Sequence, residues 1–395
     1  MKVCIVGQGY VGLPLAINCC SAGYEVFGLD SDVSKIKQLG LGKSTIEDVS
    51  DASLLQVIDK GLYHPTCSES VLSEVQVVVI CVPTPLNAQR QPDLTALIGA
   101  TKTVAKNIKQ ETLVIVESTV EPGTCRFVLI PIFLDTDNFT ANTLDFAFSP
   151  ERIDPGNTLW NLENTPKIIS GYSNSSVLKA QNFYSKFVNE VLVCSTLEIA
   201  ETAKLLENSF RLVNISLVNE LRAYCQKKMI DINEVILAAA SKPYGFMPFY
   251  PSVGVGGHCI PVDPLYLAKS ADEIGTPLRL IQIADEINLS VPSYFVELAV
   301  QKIGKLDGKK ILVIGVAYKP NVSDVRETPV RALIEGLRAA GAQVLWHDDF
   351  VSIWEEEAST PLSDNFDLAI IATPHSYLDL TKLGGIPILN TRGST

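Results

Sequence analysis

Short runs of consecutive apolar, β-branched residues recur along the chain and end at glycine, proline or an acid. That is the pattern of strands buried on both faces of a parallel sheet. Lys2-Val-Cys-Ile-Val-Gly7 is the first and Glu25-Val-Phe-Gly-Leu-Asp30 the second, with a helical stretch to Ala22 and a turn at Gly23 between them. Val75–Val82, Leu113–Glu117 and Asp145–Phe148 follow, alternating with helical segments. Four more runs, Lys310–Gly315, Gln343–Asp348, Phe366–Ala372 and Ile386–Asn390, repeat the opening in outline. The period changes between the two sets. Ser195-Thr-Leu-Glu198 reads as a capping box opening a long helix whose apolar face is Leu206, Phe210, Val213, Leu217 and Leu221. A second helix is expected over Asp231–Ser241. A third runs from Leu265 to about Lys302, with Pro292 in a first turn.

The turn after the first strand is Gly7-Gln-Gly9-Tyr10-Val11-Gly12. Glycines there allow a tight turn and close approach of a pyrophosphate, whose charge meets a helix N-terminus. Asp30, ending the second strand, would accept from ribose hydroxyls and repel a 2′-phosphate, so NAD is expected in preference to NADP. Thr84, Thr119 and Glu151 each follow a strand, at the sheet edge where ligands bind. The expected fold is α/β. Two Rossmann-like doubly wound domains, 1–195 and 304–395, are joined by a long central helix and a helical middle domain, 196–303. In the second copy Gly315 is followed by Val316-Ala-Tyr-Lys319 without further glycines, so it should bind something else, with Lys319, Arg326 and Arg392 as its cations.

Composition narrows the function. A chain of 395 residues suits two or three domains. Its formal charge of −12, with no Lys/Arg cluster, argues against a nucleic-acid surface. Nine cysteines at irregular spacing form neither a metal pattern nor a disulfide framework, so reduced thiols and no metal are expected. The longest apolar run, Val77 to Pro83, is far short of a membrane span, and strand one begins at Lys2 with no room for a leader. A cytoplasmic location is expected.

The remaining chemistry centres on Gly254-Val-Gly256-Gly-His-Cys259-Ile-Pro-Val-Asp263-Pro264. A cysteine in a glycine-rich approach loop is placed for covalent chemistry on a bound substrate. Lys204, Asn208 and Arg211 share one helical stripe and are expected to face a cleft. A thiol is superfluous for oxidising an alcohol once, but useful when the aldehyde must be oxidised again. Cys259 would capture the aldehyde and carry it to a thioester, which then hydrolyses. Lys204 and Asn208 would stabilise the oxyanion, and Asp263 or Glu151 would handle protons.

These residues resemble the UDP-glucose/GDP-mannose dehydrogenase family along nearly the whole chain. The likeness rests on GQGYVGLP (Gly7–Pro14), VPTP (Val82–Pro85), ESTVEPGT (Glu117–Thr124), SPERIDPG (Ser149–Gly156), AKLLENSFR (Ala203–Arg211), GVGGHCIPVDP (Gly254–Pro264), AYKPNVSDVRET (Ala317–Thr328) and NTRG (Asn390–Gly393). The resemblance implies Cys259 as nucleophile, with Lys204, Asn208 and Asp263 as partners and Glu151 as the acid/base of thioester hydrolysis. It implies NAD contacts from Gly7, Gly9, Tyr10, Val11, Gly12, Asp30, Thr84, Thr119 and Arg326. It assigns the UDP-sugar to Arg152, Ile153, Arg211, Tyr250, Gly256, Lys319 and Arg392. Family members dimerise through the central helical region, so a homodimer is expected. ERIDPG and GGHCIPVDP look like the branch acting on UDP-N-acetylhexosamines. Lys242-Pro-Tyr-Gly-Phe-Met-Pro-Phe-Tyr250 is similar to the UDP-N-acetylglucosamine enzymes and lacks the His-Pro-Arg of some mannosamine enzymes, which ranks the glucosamine epimer first. UDP-glucose oxidation, a one-step hydroxyacid-type dehydrogenase and a non-catalytic NAD sensor are the rivals.

Overall fold

A computed structural model spans residues 1–395 and describes all but Pro155, Thr158, Tyr377, Ser394 and Thr395. Pro155, in the Ser149–Gly156 motif, therefore lies outside the described residues. The chain divides into two compact units, Met1–Leu206 and Glu207–Thr395.

In the first unit, β1 (Lys2–Val6), β2 (Glu25–Leu29), β3 (Tyr63–Thr66), β4 (Val77–Ile80), β5 (Leu113–Val116), β6 (Asp145–Phe148), β7 (Lys167–Gly171) and β8 (Val191–Val193) form one sheet. Its order is β3-β2-β1-β4-β5-β6-β7-β8. Every pairing is parallel except β6 with β7. Helices α1 (Gly12–Ser21), α2 (Val33–Gly40), α3 (Asp51–Asp59), α4 (Thr95–Asn107), α5 (Ile130–Leu134) and α6 (Asn174–Tyr184) belong to this unit. The apolar runs become strands because alternate residues feed two separate cores: Val3 and Ile5 join one cluster, Cys4 and Val6 the other. Each fully buried Val, Ile or Leu contributes about 1.5–3 kcal/mol. The first three crossovers reproduce the doubly wound order expected from the turn chemistry.

Helix α7 (Leu197–Lys227) corrects two expectations. Its cap is Thr196, whose hydroxyl accepts from Ile199 N (3.3 Å), not Ser195. The Glu198 carboxylate is taken by Arg126 instead of closing a box. Three of the five residues expected to be core also face outward: Leu206 is 61% and Leu217 58% exposed, and Phe210 is exposed as well, whereas Val213 and Leu221 are half-buried against core residues. The buried face carries Glu201, Lys204, Leu205, Asn208, Leu212 and Ser216, much of it polar. A helical period identifies a face, but not which neighbour covers it.

The second unit holds α8 (Ile232–Ala240), α9 (Asp263–Glu273), α10 (Arg279–Ile303) and α11 (Val330–Ala339). Its sheet joins β9 (Lys310–Ile314) and β10 (Gln343–His347), with the small hairpin β11 (Ile353–Trp354) and β12 (Glu357–Ala358) before β13 (Leu368–Ile371) and β14 (Ile388–Asn390). The order β10-β9-β13-β14 is parallel throughout. The single helix expected from Leu265 is two, interrupted where Gly275 takes φ +74°. Pro292 lies inside α10 and not in a first turn; it is buried with Val291 and Phe295, and that packing overrides the lost backbone donor.

Candidate active site

Each unit carries its own part of the chemistry. In the first, Gly7 leaves β1 at φ +92°, and its N–H donates to Leu29 O (2.8 Å). A Cβ there would stand 2.7 Å from Cys81 O, and one on Gly12 would stand 1.8 Å from Gly7 O. Only glycine fits at either position. Gly9 is different: a Cβ would meet nothing within 4 Å, so the turn faces open space at that point. Helix α1 begins there with Val11 as N-cap, no side-chain cap and no acid in its first turn. Tyr10 and Val11 complete the turn. This cradle suits a pyrophosphate, held by backbone N–H groups and the positive helix end.

Asp30 stands beside it. Its carboxylate accepts from Gln8 N (2.8 Å), Asp32 N (2.9 Å) and Lys35 Nζ (2.8 Å). Burial works to raise its pKa, but Lys35 and the backbone donors of Asp32 and Gln8 outweigh that and hold it below the usual carboxylate range. Asp30 is thus an ionised acceptor for a ribose. Lys35 was not singled out in the sequence; its place one helical turn into α2 was the available signal.

Thr84, Thr119 and Glu151 follow β4, β5 and β6, three adjacent parallel strands, so all three stand at one sheet edge. Ser118 Oγ donates to Val82 O (2.7 Å) and ties the first two loops together. Glu201 secures the rest of the second loop, accepting from Gly123 N (2.6 Å) and Cys125 N (2.9 Å). Glu151 Oε1 accepts from Arg152 N (2.7 Å) and Ile153 N (2.6 Å). The Arg152 guanidinium is turned to Pro166 O (2.6 Å). Burial would raise the Glu151 pKa, yet Lys167, those two N–H groups and Lys204 depress it. Lys204 itself is buried on α7.

In the second unit Asn208 Nδ2 donates to Asp263 Oδ2 at 2.6 Å, both side chains buried. Asp263 opens α9, and its N–H donates to Cys259 O (2.8 Å), so the cysteine is fixed by its own carbonyl one turn ahead of the acid. Six of the nine cysteines are buried, whereas Cys259, like Cys67, is exposed. His258 is half-buried, and burial and the nearby Arg326 lower its pKa, keeping it neutral.

The glycines of this loop do something other than expected. A Cβ on Gly256 would stand 2.7 Å from Tyr318 Cβ and 2.8 Å from Glu327 O; one on Gly257 would stand 2.9 Å from the Tyr318 ring. Their missing side chains admit the chain's own 317–329 segment, not a ligand. Gly257 N also donates to Arg326 O (3.0 Å). Gly256 is therefore a packing position here. The Arg326 guanidinium forks onto Asp324 (2.6–3.0 Å). Lys319 is half-buried in the same segment, while Arg211, Tyr250 and Arg392 are exposed. Arg211 leaves the stripe on which Lys204 and Asn208 are buried. Among the described residues no cluster of His, Cys, Asp or Glu could hold a metal, and no helix is long and apolar enough to cross a membrane.

Comparison with known proteins places this chemistry. Residues 1–188 match the NAD binding domain of the UDP-glucose/GDP-mannose dehydrogenase family, 198–290 its central domain and 312–386 its UDP binding domain. A UDP-N-acetyl-D-glucosamine 6-dehydrogenase of Pseudomonas aeruginosa is 33% identical over 389 residues, covering 95% of this chain and 91% of the relative. A UDP-N-acetyl-D-mannosamine dehydrogenase of Pyrococcus horikoshii is 34% identical over 382 residues, with 95% and 90% covered. The solved structure of a UDP-D-ManNAc dehydrogenase from Pyrococcus horikoshii superposes with a TM-score of 0.89 at 30% identity, covering 99% of this chain and 95% of that one. The chain belongs to the UDP-glucose/GDP-mannose dehydrogenase family and is an NAD-dependent nucleotide-sugar dehydrogenase.

Proposed function

We propose that the protein oxidises the C6 hydroxyl of a UDP-N-acetylhexosamine to the uronic acid, UDP-N-acetylglucosamine ahead of UDP-N-acetylmannosamine. The observation that carries this reading is the exposed Cys259, bonded through its carbonyl to the N–H of Asp263, whose carboxylate holds Asn208. Relatives named for both epimers support the hexosamine class. The segment Lys242–Tyr250, without a His-Pro-Arg, supports the glucosamine order.

The turn Gly7–Gly12 and Asp30 would hold NAD, with Thr84, Thr119 and Arg326 as further contacts. Two NAD molecules, bound there in turn, would each accept one of the two hydrides that an alcohol loses on becoming an acid. The chain's own residues do the rest. The Cys259 thiolate adds to the aldehyde carbon. Lys204 and Asn208 hydrogen-bond the oxygen that becomes negative. Asp263 orients Asn208, and Glu151 takes a proton from the water that hydrolyses the thioester. Arg152, Ile153, Arg211, Tyr250, Lys319 and Arg392 would bind the UDP-sugar. The division 1–195, 196–303 and 304–395 accompanies this reading and is supported by the three matched ranges. The outward stripe Leu206, Phe210 and Leu217 supports a homodimer through α7, since a monomer rarely leaves such a face to water.

Turnover on UDP-N-acetylglucosamine, UDP-N-acetylmannosamine and UDP-glucose, with the acid product identified, tests the substrate. UDP-N-acetylglucosamine should give the highest kcat/KM; a preference for UDP-glucose would overturn the assignment.

A further inference from the structure

We propose that Lys167 is a positioning residue for the hydrolytic step: its ammonium, shared between Glu151 and Glu117, holds Glu151 as a carboxylate ready to accept a proton. The inference rests on the reading of Glu151 as the base of thioester hydrolysis.

Topology puts the lysine there. The sheet is parallel from β3 through β6, so those strands present their C-terminal ends at the ligand edge. Strand β7 runs the other way, pairing Phe148 with Ser170. Continuing that register sets Lys167, the first residue of β7, opposite Glu151. A strand's N-terminal residue thus reaches the edge where β3 to β6 present their C-terminal ends. Lys167 Nζ lies 2.9 Å from Glu117 Oε2 and 3.5 Å from Glu151 Oε2. The Lys167 and Glu117 side chains are 3% and 0% exposed, and Glu151 is 14%. Glu117 Oε1 accepts from Tyr184 OH at 2.5 Å, and the same ring lies 5.2 Å under the ammonium.

A lysine side chain loses much conformational freedom when buried at the start of a strand. Two buried carboxylates around one cation cannot both shed their protons freely. Here the burden falls unequally. Glu117, completely enclosed, is pushed up to about 7 by burial, in spite of Lys167 and with the help of Glu151's charge. Glu151 keeps its proton off, having two backbone donors besides the lysine. The groups facing this cluster from other elements are Tyr184 on α6, Cys81 after β4, Cys19 on α1 and Lys204 on α7. Burial pushes Tyr184, Cys81 and Cys19 up, so they stay neutral and leave Lys167 and Lys204 as the cations.

In the step itself, the water oxygen bonds to the thioester carbon, the carbon–sulfur bond breaks and its electron pair leaves on Cys259 Sγ. One water proton passes to Glu151. No electron is gained or lost. Without Lys167 the two carboxylates would share a proton, and Glu151 would be blocked as a base until a higher pH.

The test uses the full chain with Lys167→Met, Lys167→Arg and Glu117→Gln. The readouts are the pH dependence of kcat for acid formation and mass spectrometry of acid-quenched protein for a Cys259 adduct. Lys167→Met should move the acidic limb up by about 1–3 pH units and accumulate the adduct below it. Lys167→Arg should restore the limb to within about half a unit. Glu117→Gln should leave it within about half a unit, because Glu117 is already protonated where Glu151 titrates. An unmoved limb in Lys167→Met overturns the proposal, as does a Glu117→Gln shift in the same direction. Should Lys167→Met not fold, the Lys167→Met/Glu117→Gln double variant, which leaves no unpaired charge at Glu117, takes its place, and an unmoved limb there overturns the proposal. Limb shifts as expected, with no Cys259 adduct in any variant, would fault the thioester reading while upholding the pairing.

Discussion

The chain builds one frame twice, and the copies differ in what they do with an acid. Gly7 and Gly315 both leave a first strand at positive φ, +92° and +84°. Both donate to the residue ending the neighbouring strand, Leu29 O at 2.8 Å and His347 O at 2.7 Å. Asp30 and Asp348 then follow β2 and β10, and each accepts from the N–H after the glycine, Gln8 at 2.8 Å and Val316 at 2.8 Å. From there they diverge. Gly9 opens the first copy, and Asp30 stays within reach of solvent. In the second, Asp348 also accepts from Ala317, Phe350 and Val351 and faces His375 Nε2 at 3.0 Å, with its side chain fully buried. Asn321 N donates to the other nitrogen of His375 (2.9 Å), so the proton sits on Nε2 and points at the carboxylate. A strand, a glycine and an acid make a turn; a cofactor site also requires that the acid keep an edge within reach of a ligand.

Substitutions can break this comparison. Gly315→Ala should have the largest effect. Its Cβ would lie 2.1 Å from Thr373 O at a left-handed φ, costing about 3 kcal/mol or more in chemical denaturation. Asp348→Asn comes next, at about 2–3 kcal/mol, because it disturbs a buried acceptor of several donors. Its sign with pH can also be read. Burial favours the neutral acid, but His375 and the N–H groups of Phe350 and Ala317 outweigh it and depress the folded pKa. The stability contributed is therefore complete above the unfolded value near 4 and lost as pH falls through the folded one. A Tm-versus-pH series should show the Asp348→Asn deficit shrinking below about pH 4.

The corresponding change in the first copy, Asp30→Asn, should leave Tm within a few degrees while raising the KM for NAD about tenfold or more and narrowing the preference over NADP. Lys35→Met should be smallest, changing that KM only about threefold, since a partly exposed ion pair contributes little. Loss of stability in Asp30→Asn as large as in Asp348→Asn would erase the distinction between open and closed acids.

How far the sequence reached follows the same logic. The strands were legible because residues buried on both faces must be apolar at every position, as at Val77–Ile80 and Leu113–Val116. The glycine turn was legible because steric exclusion is local. The outward face of α7 was not, since an apolar period looks the same whichever neighbour covers it. Gly256 and Gly257 misled in their cause: crowding by Tyr318, sixty or so residues away, leaves the same absence of side chain as an approaching ligand. Lys167 was missed because a lone lysine beside an apolar run marks nothing until the antiparallel register of β7 sets it against Glu151.

The account turns on whether one sugar gives up two hydrides before it leaves Cys259. NADH counted against a limiting amount of UDP-N-acetylglucosamine, with excess NAD, measures this directly. Two NADH per sugar, falling to none as acid in Cys259→Ala, is the predicted result. One NADH per sugar, or undiminished acid formation in Cys259→Ala, would contradict it.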